Sequence, residues 1–181
     1  LLDADYIAGR ATLINPSSAM SDAQAGNPLG QSPGLGRDRS PELPSTTHLS
    51  VVDASGNVVS MTTSVESAFG SKIMVRGFLL NNQLTDFSLD GTDEAGMLVA
   101  NGVEPGKRPR SSMAPMIVLR DGKPYMAIGA PGGPFIISFV AKTLLGVLGW
   151  GLDIQSAIAL PNRGSCSYGT EIEEGTELEA L

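Results

Sequence analysis

The rhythm of hydrophobic and polar positions changes several times along this chain. Apolar residues are scattered over 1–14 (Leu1, Leu2, Tyr6, Ile7, Ala8, Leu13, Ile14), a spacing compatible with a helix end. From Asn15 to Ser45 the rhythm disappears: five Pro, four Gly and six Ser fill about half of the tract. Such a segment buries too little apolar surface to offset its ordering entropy, which predicts a mobile loop or linker. Its length exceeds that of an ordinary connection inside a domain, and so points to a functional or processed segment.

Strand-like patterning starts at His48-Leu49-Ser50-Val51-Val52-Asp53. It pauses at the turn residues Ala54-Ser55-Gly56-Asn57 and resumes from Val58 to Val65, predicting a hairpin. A second hairpin is predicted from Met116–Leu119 and Tyr125–Ile128, joined by Arg120-Asp121-Gly122-Lys123. The apolar runs are nearly continuous, which predicts sheet faces covered on both sides. Pro134 suits the first turn of an apolar helix running from Phe135 to Trp150. That helix is shorter than the ~20 residues a membrane span needs, and Lys142, Gly146 and Gly149 interrupt it, so a buried core helix is expected. A shorter helix follows, with Asp153 as N-cap and Pro161 as its stop. Hairpins packed beneath helices make an α+β layered sandwich the predicted class.

Charge and composition then remove several functions. The net charge is −7, which disfavours a nucleic-acid partner, whose affinity comes mainly from Lys and Arg on phosphate. A single cysteine, Cys166, excludes an internal disulfide and a thiolate metal cluster; it reads as a buried or free thiol. A single histidine, His48, excludes sites built on several imidazoles. It is two residues from Thr46 on the same predicted strand, a poor geometry for a nucleophile and its base. The chain has no initiator Met and no signal-peptide pattern at Leu1–Tyr6, and Glu177–Leu181 reads like mid-helix, so an internal fragment is expected.

Candidate chemistry lies at four polar clusters. Ser45-Thr46-Thr47 joins the linker to the first strand. If the chain breaks before Thr46, the freed α-amine, with a reference pKa of ~7.7–8.0, can activate the hydroxyl of its own residue. A plain loop-to-strand boundary would look the same. Gly132-Gly133 leads into a helix and can present N–H groups to a phosphate or to a developing oxyanion, or can simply form a turn. No Gly-Lys-Ser/Thr follows it, which disfavours a nucleotide site. Asn81 to Phe87 offers acceptors for an ammonium group, and Lys107 to Met113 offers hydroxyls and basic groups for a carboxylate.

Taken together, TTHLSVVD at 46–53, FGS at 69–71, LLNNQLTDFS at 79–88, KRPRSSMAP at 107–115 and GAPGGP at 129–134 resemble the small catalytic subunit of the gamma-glutamyltranspeptidase family. The resemblance runs from about Pro44 onward. It implies an N-terminal-nucleophile hydrolase with a four-layer αββα sandwich, incomplete in this chain. Residues 1–45 then look like the tail of the large subunit with its processing linker, and 46–181 like the small subunit, truncated at its C-terminus. By the same resemblance the precursor cleaves itself between Ser45 and Thr46, making Thr46 the nucleophile. Ser64 matches a hydroxyl residue that hydrogen-bonds it. Glu66, Gln83 and Asp86 match residues that hold the substrate's α-amino group, Glu66 standing where many members have Asn. Ser111 and Ser112 match the pair on its α-carboxylate, and Gly132 and Gly133 the oxyanion-hole glycines. Residues 87–106 match an active-site lid, without the Tyr that several bacterial members carry there.

The resemblance further implies no cofactor or metal. The implied partners are a small-molecule gamma-glutamyl substrate, water or an amine acceptor, and the remainder of the large subunit, with a periplasmic or secreted location. A gamma-glutamyl hydrolase or transferase acting on glutathione-like amides is therefore the leading expectation. A relative acting on another acyl amide, such as a cephalosporin side chain or poly-gamma-glutamate, and a scaffold that never matures are the alternatives. Retention of both polar clusters favours the first, because an acyl group without an amino-acid head would need neither.

Overall fold

The computed structural model describes residues 2–20, 23–28, 34–36, 38, 40, 45–166 and 169–180. Helix α1 (Ala4–Ala11) opens the chain, its first turn closed by the Asp3 side chain, which accepts the Tyr6 N–H at 2.8 Å. Strands β1 (Thr46–Val52) and β2 (Val58–Ser64) follow as an antiparallel hairpin. β-branched residues dominate both, and the turn between them is built by Asp53, whose Oδ1 accepts the N–H groups of Ser55 and Asn57, each at 2.8 Å. The strand starts at Thr46, two residues before the predicted start.

Two further two-residue strands, β3 (Met74–Val75) and β4 (Phe78–Leu79), pair across a tight turn that the hydrophobic pattern does not predict. A 3-10 turn at Gln83–Asp86 comes next, then a long loop and the second predicted hairpin, β5 (Met116–Arg120) with β6 (Lys123–Ile128). The two hairpins touch: the Ser60 hydroxyl donates to the Ile128 carbonyl at 3.0 Å.

The predicted helix over Phe135–Trp150 is three pieces. A 3-10 turn at Gly133–Phe135 carries Pro134, helix α2 spans Ile136–Leu144, and a π-turn covers Leu145–Gly149. The break has a packing reason. A Cβ on Gly146 would lie 2.7 Å from the Cβ of Ala157, so the widened turn lets this backbone come against helix α3 (Ile154–Ala159). Asp153 caps α3 as expected, accepting the Ser156 N–H at 3.0 Å, and the helix ends before Pro161. Lys142 binds the far end of α3, donating to the carbonyls of Ile158 (2.9 Å) and Leu160. Burial holds its pKa below the ordinary lysine value. Strands β7 (Arg163–Cys166) and β8 (Gly169–Ile172) form a last short ladder; the Cys166 side chain, expected as a buried or free thiol, lies outside the described residues. Glu177–Ala180 is one 3-10 turn and not mid-helix as its sequence suggests.

Among the described residues the buried apolar side chains are Ile136 and Val140 on α2, Ala157 on α3, and Phe87 and Val99 within the long loop. The expectation of sheet faces covered on both sides is not met: Val51, Val52 and Val59 are each half-exposed or more, as are Ile137 on α2 and Leu148 in the π-turn. No described element packs over them. The described part of 15–45 has no helix or strand, as predicted, but it is not loose throughout, because Gly36 bridges to Val99. Among the described residues no helix is long and apolar enough to cross a membrane.

Candidate active site

Strand register places Ser64, at the end of β2, directly opposite Thr46 at the start of β1. The Ser64 hydroxyl stands between two backbone groups, donating to the Ser45 carbonyl at 3.3 Å and accepting the Glu66 N–H at 2.9 Å. A donor on the Ser45 carbonyl polarises the carbon of the Ser45–Thr46 peptide bond. Ser45 Oγ is buried without a hydrogen-bond partner among the described residues.

Beyond β2 the chain turns sharply, and Glu66 takes a φ of 73°, a left-handed conformation unusual for a residue with a Cβ. Its buried carboxylate accepts from Asn82 Nδ2. Asn82 also donates to Thr85 Oγ1 at 3.0 Å and accepts the Ser67 N–H at 3.1 Å, so it ties Glu66 to the turn that follows. In that turn Gln83 Nε2 donates to Asp86 Oδ2 at 2.6 Å. Sequence reasoning includes Asn82 only among the acceptors of Asn81–Phe87 and gives it no role of its own, although its place beside Gln83 within the 79–88 motif is the available signal.

On the opposite side, Ser111 Oγ accepts the Met113 N–H at 3.2 Å, and Arg110 precedes the serine pair. Arg110 donates to Asp38 Oδ2 at 2.6 Å. Burial alone would raise the Asp38 carboxyl, but hydrogen bonds from Ser40 and Asn101 and the Arg110 charge outweigh it and lower its pKa. Gly132 and Gly133 complete the ring with φ values of 136° and 56°. A Cβ on Gly132 would also stand 2.7 Å from Phe139 Cε2, so both backbone shape and space require glycine there.

These elements enclose a cavity of about 50 Å³ lined by Thr46, Ser64, Glu66, Asp86, Ser111, Ser112 and Gly133, with Arg110, Met113 and Ile136. That is room for a few waters. Gln83 and Gly132 are not on its wall; the first touches Asp86 and the second precedes Gly133. His48 lies away from it, its ring nitrogens 2.9 Å from Thr62 Oγ1 and 3.1 Å from Ser50 Oγ, its ring against Gly129. A larger cavity, about 690 Å³, borders the same 3-10 turn through Thr85 and Phe87 and holds no hydroxyl–glycine pairing of this kind.

The gamma-glutamyltranspeptidase family profile matches residues 1–179. This chain belongs to that family. It is 41% identical over 170 residues to the glutathione hydrolase proenzyme of Bacillus subtilis, a match covering 89% of this chain and 28% of that relative. The chain spans less than a third of the curated relatives it matches over its full length or nearly so. Among solved structures it is similar to a mutant gamma-glutamyltranspeptidase of Helicobacter pylori, with a TM-score of 0.63 and 36% identity over 71% of this chain and 73% of that one. An acivicin-inhibited gamma-glutamyltranspeptidase, whose C-terminus has critical roles in autoprocessing and catalysis, matches equally well: TM-score 0.63, 36% identity, 71% and 72% coverage.

Proposed function

We propose that the full-length protein cleaves itself between Ser45 and Thr46 and then hydrolyses or transfers the gamma-glutamyl group of glutathione-like amides through a Thr46 ester. The observation that carries this reading is the convergence of Thr46, Ser64, Glu66, Asp86, Ser111, Ser112 and Gly133 on one cavity from five separate stretches of sequence.

In self-cleavage the Thr46 hydroxyl attacks the Ser45 carbonyl, the peptide nitrogen leaves as the Thr46 amine, and water hydrolyses the resulting ester. In turnover that amine takes the hydroxyl proton while Oγ1 attacks the gamma-carbonyl. The oxyanion meets the N–H groups at Gly132-Gly133, where one donor is worth about 3–4 kcal/mol. The C–N bond then breaks, the leaving amine carries the proton away, and water or an acceptor amine resolves the ester. Acceptors at Glu66 and Asp86, backed by Gln83, suit the substrate's ammonium. Hydroxyls at Ser111 and Ser112 suit its carboxylate.

The same reading assigns residues 1–45 to the tail of a large subunit with its processing linker and 46–181 to the small subunit. It places the remainder of the large subunit beside them in a heterodimer with a four-layer αββα sandwich. Apolar side chains exposed on β1, β2 and α2 support such a covering layer.

Intact mass of the full-length protein tests the first step: a new terminus is expected at Thr46, and an uncleaved wild type would favour the non-maturing scaffold. Release of a chromogenic amine from a gamma-glutamyl anilide tests the second. Thr46→Ala abolishes both, and cleavage persisting in that variant would remove Thr46 from its role.

A further inference from the structure

The two ends of the long loop that follows Phe87 meet at one buried amide. Asn101 is 7% exposed and is not on the cavity wall. Its Nδ2 donates to the Asp86 carbonyl at 2.8 Å, and its Oδ1 accepts the Arg110 N–H at 2.8 Å. Its own main-chain carbonyl accepts the Ser88 N–H at 3.0 Å, beside a parallel bridge between Ser88 and Gly102. One side chain is thus bonded to the main chain at the end of the Gln83–Asp86 turn and to the main chain directly before Ser111. Asp38 also accepts from Nδ2, at 2.8 Å. The two main-chain bonds stand without it: the amide oxygen serves Arg110, one N–H serves Asp86, and both partners lie within 46–181.

Asp86, Ser111 and Ser112 line the same cavity. Among the described residues no strand ladder joins the stretches that carry them. A rigid side chain bonded to both is therefore placed to fix their separation. The two partners call for a donor and an acceptor on one short planar group, which asparagine supplies. Aspartate would set an oxygen against the Asp86 carbonyl oxygen, and glutamine would add a methylene to a packed place. Losing either bond leaves a shielded main-chain group in search of a partner.

We propose that Asn101 is a positioning residue of the mature site, holding the Asp86 turn and the Ser111-Ser112 stretch at the spacing of one substrate. It touches neither substrate nor nucleophile and acts through the main chain of its two neighbours. This rests on the gamma-glutamyl reading, in which those clusters grip the ammonium and the carboxylate of a single glutamyl head.

The test uses the mature, full-length protein and the near-isosteric variant Asn101→Asp, which keeps an acceptor for Arg110 and removes the donor to Asp86. KM for gamma-glutamyl p-nitroanilide is expected to rise about tenfold while kcat changes less than about threefold, the split of lost binding without lost chemistry. Glutaryl p-nitroanilide carries the carboxylate but no α-amino group, so it cannot span both clusters. Its inhibition constant should change less than about threefold. An unchanged KM, a kcat collapse at unchanged KM, or equal losses for the two anilides overturns the proposal. Asn101→Ser, neutral and with one polar atom in place of two, is read in the same way if the Asp variant does not mature. Hydrogen exchange at the Arg110 amide of the mature wild type needs neither turnover nor a folded variant. Slow exchange is expected, and exchange as fast as in an unstructured peptide overturns the proposal. A wild type that leaves gamma-glutamyl p-nitroanilide intact would defeat the gamma-glutamyl reading instead, while the exchange rate would still decide whether Asn101 holds Arg110.

Discussion

The hydroxyl of Ser64 lies 3.3 Å from the carbonyl oxygen of Ser45 because strand register sets Ser64 across from Thr46. The donor is thus aimed at the bond that the proposed maturation would break. Ser64→Ala is expected to slow self-cleavage about tenfold, equivalent to roughly 1.4 kcal/mol, and Ser64→Thr to restore it. Time-resolved intact mass of freshly made full-length protein reads this. A rate within twofold of wild type would show that the hydroxyl does not assist.

Asp86 meets Gln83 at 2.6 Å with one oxygen and faces the cavity. Asp86→Asn keeps an acceptor but removes the charge proposed to face the substrate's ammonium. KM for a gamma-glutamyl substrate should rise about 10- to 100-fold, and a substrate analogue without the amino group should lose its disadvantage in the variant. Steady-state kinetics with both substrates checks this; equal discrimination in variant and wild type would place the ammonium elsewhere.

Gly132→Ala faces two penalties, a φ of 136° and the Phe139 ring 2.7 Å from the new Cβ. A loss of about 1–3 kcal/mol is expected in urea unfolding, with kcat falling because the neighbouring Gly133 N–H shifts. Wild-type stability in the variant would mean that the turn relaxes freely.

Asp38 has a folded pKa below its ordinary 3.8. A depressed carboxyl contributes stability that is fully present above the unfolded value and fades as pH falls through the folded one. The stability difference between wild type and Asp38→Asn should therefore be constant from pH 5 to 7 and shrink below about pH 4. Denaturant titrations at a series of pH values check the sign, and a difference that grows on acidification would contradict it.

Much of the architecture was legible in the residues. Both main hairpins, the Asp153 cap and the helix after Pro134 follow from local pattern and turn chemistry. What escaped is tertiary. The division of 135–150 answers to Ala157, on another helix, and β3–β4 is too short to carry a period. Covered sheet faces were inferred from apolar runs in β1 and β2, but composition records only that a face needs covering, not which polypeptide covers it. At the site, the family resemblance named seven of the residues now found on the wall, five of them within its motifs, while the bonds from Asn82 to Glu66 and from Asn101 to Asp38 depend on loop paths that no periodicity encodes.

Glu66 keeps a carboxylate on a backbone that a glycine or an asparagine would adopt more easily. Heat tolerance and selectivity therefore pull in opposite directions at this one position. Glu66→Asn, whose amide oxygen can still accept from Asn82, should raise the melting temperature by a few degrees, in line with relief of about 1 kcal/mol, while removing an anion from the cavity wall. Breeding a hardier protein from this scaffold would drift toward that exchange unless the proposed turnover were selected alongside.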